Sequence, residues 1–294
     1  MMLKQSKITT KTHKWNYVHV LQKGFKMKKI ILASILALTT QLALADTKAA
    51  TVDPEFAKIE AMVKAKNMTG AYQALSKLAA TGNAQAIYNL GYLTQTGQGT
   101  AKDEKKAIQL YEQAGAKGYP VANYVLGKNY ATGTLGLKQD PAKAKQYLER
   151  ASSAGFDDAT IDYAILLFAE NNPQSDKLAL TKLDPLIKKG FYPAIHAKAL
   201  YDISTGFKTK NDKPVQQGLN SIQDLAKKGY IPALMAVGNM FVNGNIIPQN
   251  LPEAKKIFAA LAQENVPQAK ESLATVDKLI AEQAKAPKAS AKKS

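Results

Sequence analysis

Residues 186–194 read LIKKGFYPA, and residues 225–233 read LAKKGYIPA, 39 positions later along the chain. Leu, Lys-Lys-Gly, an aromatic residue, Pro and Ala recur in the same order. A Gly in this place supplies the left-handed backbone that ends a helix, and the aromatic residue after it can pack back on the last turn. Pro193 and Pro232 suit the first turn of the next helix. The stretch therefore predicts a corner between two helices, not a doubled ligand site.

The same corner recurs through the chain with spacings of 36, 37, 35, 39 and 36 residues. A regular period of this size is typical of a repeat protein whose units are pairs of secondary-structure elements. In the last copy Asn takes the place of Gly, and Asn tolerates left-handed backbone better than most other residues do. The spacing predicts six structural corners, at Gly82, Gly118, Gly155, Gly190, Gly229 and Asn265.

Each unit of the repeat reads as two helices. The first helix begins near an Ala four residues after the corner, and a Gly or Ala five residues further on would let a neighbouring helix approach closely. The second helix follows Asp103, Asp140 or Asn250, whose side chains can cap its free amides. Apolar residues then recur at helical spacing on one face. The pattern predicts an all-α chain.

The pattern A…LG…(Y)…G followed by D…KA…(L/Y)…A…G resembles the Sel-one-like repeat, a relative of the tetratricopeptide repeat. The match is best in residues 86–118, 122–155 and 233–265. Residues 159–190 lack the Gly-rich turn, and in residues 194–229 the stretch GFKTKNDKPVQQG lengthens the predicted linker. The resemblance implies a right-handed α/α solenoid, over residues 46–284, that binds partners and is generally not catalytic.

The N-terminal region has the pattern of an exported protein. Residues 27–45 combine two Lys, an uncharged apolar run and the sequence Ala-Leu-Ala, which predicts a signal peptide that is cleaved after Ala45. Residues 1–26 are interpreted as an over-extended start or a leader. The apolar run is shorter than the roughly 20 residues of a membrane span, so we expect no stable membrane anchor. The expected location is the periplasm, with secretion as an alternative.

The net charge of +17 is concentrated at the two ends of the chain. Residues 1–45 contain eight Lys and no acid, and residues 285–294 contain four Lys and no acid, which leaves about +5 on the body. Because that remainder is interpreted as dispersed, no nucleic-acid partner is expected. Residues 285–294 are predicted to be a basic, disordered tail. Binding of anionic envelope surfaces by this tail is one alternative function.

No catalytic or metal-binding pattern emerges from the sequence. There is no Cys, and His196 is the single His after residue 45, so we predict no metal, no cofactor and no enzymatic activity. Asp157 and Asp158 stand beside a helix start, where capping explains them better than acid–base chemistry. A secreted hydrolase acting on cell-wall or β-lactam-related substrates is the other alternative, suggested by some secreted relatives.

A stripe on the first helices is the predicted site for a protein or peptide partner. At 100° per residue, the second and sixth residues after the Ala (the +2 and +6 positions) lie opposite the face that packs inward, and several are apolar where a surface helix would be polar. Superhelical curvature could instead bury this stripe as core. The resemblance suggests an adaptor, a regulator or an immunity-type protein of the bacterial envelope, of undetermined oligomeric state. The predicted partner-binding residues are Tyr88, Tyr92, Tyr124, Lys128, Ile161, Ile165, His196, Leu200, Met235 and Asn239.

Overall fold

The computed structural model describes residues 54–285, which form thirteen α-helices and no β-strand within that range. The predicted all-α class is confirmed. In chain order the helices are α1 (Pro54–Lys64), α2 (Met68–Ala80), α3 (Ala84–Thr96), α4 (Glu104–Ala116), α5 (Pro120–Thr132), α6 (Pro141–Ser153), α7 (Asp157–Ala169), α8 (Pro173–Lys188), α9 (Tyr192–Thr209), α10 (Asp212–Lys227), α11 (Ile231–Asn243), α12 (Leu251–Gln263) and α13 (Ala269–Lys285).

The described residues divide into two compact units, residues 54–184 and residues 185–285. In the first unit each helix from α1 to α7 packs on the next helix along the chain, and in the second unit the same holds from α9 to α13. The boundary falls inside α8, at Pro185. Because proline has no amide hydrogen, α8 lacks one of its backbone hydrogen bonds at this point.

Several predictions concern segments outside residues 54–285. These are the leader at residues 1–26, the signal peptide at 27–45 and the basic tail, of which only Lys285, the last residue of α13, is described. Among the helices of residues 54–285, none has the length and apolar character needed to cross a bilayer.

All six corners use left-handed backbone, with φ between 56° at Asn265 and 88° at Gly82 and Gly118. At the corner that opens α11, the amide of Gly229 donates to the carbonyl of Ala226 (2.9 Å) and the amide of Tyr230 donates to that of Leu225 (3.0 Å). This pair of bonds is the Schellman motif, which satisfies carbonyls that the helix end leaves open. The corner is therefore built by local backbone chemistry.

Close packing inside a pair depends on the small residue of the first helix. A Cβ atom added to Gly238 of α11 would lie 2.6 Å from Cζ of Phe258 in α12, and one added to Gly127 of α5 would lie 2.7 Å from Cγ of Leu148 in α6. Both partner side chains are almost fully buried. The glycines thus provide the space in which the large side chains of the second helix pack, as the sequence predicted.

The turn between the two helices of a regular pair is tied at both ends. Oδ1 of Asp140 accepts from the amide of Lys143 (3.0 Å), and Asp103 and Asn250 cap α4 and α12 in the same way. The backbone amide of Asp140 also donates to the carbonyl of Tyr130 in the preceding helix (2.8 Å). The capping residue therefore starts the second helix and fastens it to the first.

The prediction of a lengthened linker in residues 194–229 is wrong. Helix α9 continues to Thr209 and α10 begins at Asp212, so only Lys210 and Asn211 join them. Gly206 lies inside this helix at a close contact: a Cβ atom there would lie 2.7 Å from the carbonyl oxygen of Asn211, a distance that only Gly permits. Two longer helices and a shorter turn replace the regular arrangement.

Candidate partner-binding face

The +6 positions of the first helices mostly face solvent. Lys128, Ile165, Leu200 and Asn239 are exposed, and Tyr92 is half-buried. In all five first helices, the Ala from which these positions are counted and the residue at +5 are buried. Each first helix therefore packs inward through its small residues, and four of the five present the +6 side chain outward. The role of these side chains in binding stays a prediction.

The +2 positions have a different environment. Tyr88, Tyr124, His196 and Met235 are half-buried, and Ile161 is buried at 7% exposure. Three of these rings contact the aromatic residue that precedes the next first helix. The ring-centre distances are 5.2 Å for Tyr88–Tyr119, 5.0 Å for Tyr124–Phe156 and 5.6 Å for His196–Tyr230.

These ring pairs join consecutive repeats. Tyr119, Phe156 and Tyr230 occupy the N-cap positions of α5, α7 and α11, and none makes a side-chain capping hydrogen bond. The sequence predicted that the corner aromatic packs on the last turn of the preceding helix, and its contact with the +2 residue was missed. The recurrence of an aromatic residue after the corner Gly, 31 to 34 residues after an aromatic or His at +2, was the pattern that could have revealed it.

Burial keeps the tyrosines near Tyr88 neutral. The Tyr88 ring lies 5.4 Å from that of Tyr111, and burial, reinforced by Tyr119 and Tyr92, raises the pKa of Tyr88 to about 12. The Tyr111 hydroxyl donates to Oε1 of Gln95 at 2.6 Å, and burial raises its pKa as well. These phenols can donate hydrogen bonds or pack, but they are not acid–base groups at neutral pH.

A charged cluster lies between α5 and α7. Nζ of Lys128 is 2.9 Å from Oδ2 of Asp162 and 6.0 Å from the centre of the Tyr124 ring. Burial raises the pKa of Tyr124, and the carboxylates of Asp162 and Asp158 add to the effect. Burial also raises the pKa of Asp158, with Asp162 and Asp157 adding to it and Lys128 opposing it. The cluster thus contains a partly exposed ion pair made by the +6 residue of α5, Lys128.

The predicted capping role of Asp157 and Asp158 is wrong. The N-cap of α7 is Phe156, and the two acids are the first two residues of the helix. Their negative charge there favours the positive end of the helix dipole without a capping bond. No group of three or more His, Cys, Asp or Glu side chains in residues 54–285 is arranged to hold a metal ion.

In the second unit, Asn239 and Val242 of α11 face α13 across a cavity of about 310 Å³. The remaining wall consists of Phe258 and of polar side chains in or just before the first two turns of α13, namely Gln268, Glu271, Ser272 and Thr275. The outward face of α11 is thus bordered by polar groups, while that of α9 is apolar.

Three segments of the chain match a known repeat family. The family model described as the Sel1 repeat matches residues 84–119, 120–156 and 231–266, the segments of the helix pairs α3–α4, α5–α6 and α11–α12. The chain contains three Sel1 repeats. Sel1 repeat proteins generally mediate protein–protein interactions. A comparison with curated proteins gives no significant match.

Two solved structures share the Sel1 fold. A Sel1 repeat protein from Oxalobacter formigenes is 22% identical, with a TM-score of 0.59, over 78% of this chain and 90% of its own. A protective antigen of uropathogenic Escherichia coli strains that displays an SLR fold is 20% identical, with a TM-score of 0.55, over 71% of this chain. The alignment spans 44% of that antigen. The predicted α/α-solenoid class of Sel1-like helix pairs is confirmed.

The exposed large apolar side chains avoid the matched Sel1 repeats. Among the described residues they all fall between the second and third matches. Two of them, Ile165 and Leu200, are among the predicted partner-binding residues. The other three were not predicted, because Tyr192 and Phe207 lie outside the +2 and +6 positions and Leu178 lies on the second helix of a pair. The five side chains are Ile165 (49% exposed), Leu178 (39%), Tyr192 (37%), Leu200 (41%) and Phe207 (50%).

Proposed function

We propose that this chain is an exported scaffold that binds a protein or peptide partner through the outward face of its first helices. Its role would be that of an adaptor, a regulator or an immunity-type protein in the bacterial envelope. The observation that supports the proposal is the exposure of Ile165 and Leu200 at the +6 position, where solvent-facing helices normally carry polar residues. Exposed apolar side chains gain free energy when a partner covers them.

In the first unit, polar groups lie beside the exposed apolar side chain of Ile165. Lys128 is about half exposed while it pairs with Asp162, and Ile165 follows one turn after Asp162 on α7. A polypeptide crossing this face would bury Ile165 and could exchange hydrogen bonds with the ion pair. Interfaces of this kind combine an apolar centre with a polar rim that sets specificity.

The half-buried rings at +2 have a supporting role in this proposal. Tyr88, Tyr124 and His196 fix each first helix against the next corner through their ring contacts. A largely pre-formed face binds with less loss of conformational entropy than a mobile one. The +6 side chains are therefore the proposed contacts, and the +2 side chains hold them in place.

Site-specific photo-crosslinking in the producing cells tests the binding face. A photoreactive residue at Ile165 or Lys128 is expected to form covalent adducts with a partner protein. The same residue at Gln109 or Gln146, which are exposed on the second helices α4 and α6, serves as the control. Adducts formed equally well from the control positions, or from neither set, would refute the proposed face.

Export is tested separately by the N-terminal mass of the protein in fractionated cells. The proposal predicts a periplasmic protein that begins at Asp46, since the small residues Ala43 and Ala45 stand at the expected cleavage site. Recovery of a peptide that contains Trp15 from the mature protein would contradict both the cleavage and the interpretation of residues 1–26.

A further inference from the structure

The helix pair α9–α10 departs from the regular repeat in length. Helix α9 has 18 residues and α10 has 16, whereas α11 and α12 have 13 each. The additional residues of α9 carry Phe207, which is 50% exposed. The extension therefore adds apolar surface instead of core.

The exposed apolar side chains of α9 share one face of the helix. At 100° per residue, Tyr192, half-buried His196, Leu200 and Phe207 fall within an arc of about 80°. We call these four residues the α9 stripe. Ile203 falls within the same arc but is buried, so the stripe borders the core. From Tyr192 to Phe207 it extends about 22 Å along the axis, at 1.5 Å per residue. It matches four turns of a partner helix.

Lysines lie at both ends of this stripe. Residues 186–230 contain eight Lys and three Asp, a net charge of +5, while residues 231–285 contain five Lys and five acids. The interpretation that the charge of the body is dispersed is therefore wrong, because this one segment accounts for the excess. Nζ of Lys228 lies 5.5 Å from the centre of the Tyr192 ring, and exposed Lys210 and Lys213 stand just beyond the Phe207 end.

We propose that the α9 stripe docks an acidic amphipathic helix of a partner protein. This inference rests on the proposed function and assigns a chemistry to its partner. The apolar stripe suits the i, i+4 and i+7 side chains of a helix, and the lysines at both ends suit carboxylates on its flanks. Apolar contact provides the affinity, and charge selects the acidic partner.

Two other occupants have the wrong charge. Residues 285–294 of this chain contain four Lys and no acid, so they would be repelled by the lysines beside the stripe. A second copy that used the same face would bring two segments of +5 together, because a two-fold contact pairs identical surfaces. An acidic segment of a different protein is the occupant that the charges favour.

Fluorescence anisotropy with two synthetic helical peptides tests the assignment on the full chain. The 18-residue peptides share one Leu-rich face, and the polar positions are Glu in one and Lys in the other. The acidic peptide is expected to bind about tenfold more tightly or better. The Leu200→Ser/Phe207→Ser variant should weaken its binding by about tenfold or more, whereas Leu178→Gln, which alters an equally exposed side chain on α8, should not.

A charge variant keeps the test valid if the double Ser variant fails to fold. Lys210→Glu/Lys213→Glu leaves the apolar side chains intact and should abolish the preference for the acidic peptide. The matched variant Lys270→Glu/Lys278→Glu, which places the same charge change on α13, should preserve it. Equal binding of the two peptides, no binding, or binding that none of these variants alters would overturn the inference.

Vesicles separate a protein partner from an anionic surface. Vesicles of phosphatidylethanolamine with phosphatidylglycerol are expected not to compete with the acidic peptide. Competition that disappears in the Leu200→Ser/Phe207→Ser variant would assign the stripe to a membrane surface and reject the acidic helix. Adducts from Ile165 or Lys128 without any acidic-peptide binding would reject this inference and leave the proposed function standing.

Discussion

The helix pairs α9–α10 and α11–α12 lie in the same unit and solve the same packing problem differently. In α11–α12 the first helix provides the close approach, at Gly238 against Phe258. In α9–α10 the second helix provides it, because a Cβ atom on Gly218 would lie 2.5 Å from the carbonyl oxygen of Ala199. The glycine of closest approach can thus lie on the second helix of a pair as well as on the first.

The surfaces of the two pairs differ more than their cores do. The α11–α12 turn is tied by the amide of Asn250 to the carbonyl of Phe241 (2.9 Å) and by Nε2 of Gln249 to that of Val242 (2.8 Å). The α9–α10 pair has no such loop, and it exposes Leu200 and Phe207. Departure from the regular repeat therefore preserves the fold and changes what the surface can bind.

The largest expected effect comes from filling the two contact glycines. Gly238→Val and Gly218→Val should each lower the free energy of unfolding by about 3 kcal/mol, since overpacking forces buried neighbours to move. Ala199→Gly is the control and should cost only about 1 kcal/mol through lost helix propensity. Urea titration measures all three. A neutral Gly218→Val would show that α9–α10 does not pack through an exchanged glycine.

The corner shared by the two pairs should show a smaller effect. Gly229 has φ of 77°, which a β-branched residue adopts poorly, so Gly229→Val should cost about 2 kcal/mol. Lys227→Ala and Lys228→Ala should change the free energy of unfolding by less than about 0.5 kcal/mol, because both side chains are exposed. A large loss from either Lys change, measured by thermal unfolding, would contradict the structural account of the corner.

A pH effect should distinguish α9 from α11, which has Met235 in place of His196. Burial lowers the pKa of His196, and its Nε2 has no hydrogen-bond partner among the described residues. Below the ordinary His pKa of about 6.5, the unfolded chain therefore binds a proton that the folded chain does not, and stability falls as the pH decreases. Between pH 7.5 and 5.5 this loss should reach about 1.4 kcal/mol at most.

The variant His196→Phe isolates that effect, since it keeps a ring against Tyr230 and cannot titrate. Other groups titrate equally in both proteins, so the difference between their stabilities is the quantity to follow by urea titration at each pH. A difference that stays constant from pH 7.5 to 5.5 would mean that the ring is protonated as readily in the folded chain as in the unfolded chain.

Local chemistry explains which features were predictable from the sequence. Left-handed corners and capping side chains such as Asp140 depend on a few neighbouring residues, so one copy of the repeat already reveals them. The ring pairs between repeats were missed because Tyr124 and Phe156 are 32 residues apart. The extension of α9 was missed because Gly206 in the stretch GFKTKND reads as a breaker, whereas in the structure it is a buried contact point with Val215 of α10.

The central claim is that the apolar side chains of α9 form a binding surface and not a core. Urea titration tests it on two variants. It compares the free energy of unfolding of Leu200→Ser/Phe207→Ser with that of Val237→Ser, which alters a buried site of α11. We expect an unchanged free energy of unfolding for the double variant and a decrease of about 2 kcal/mol or more for Val237→Ser. A comparable loss in the double variant would show that the stripe is core and would contradict the claim.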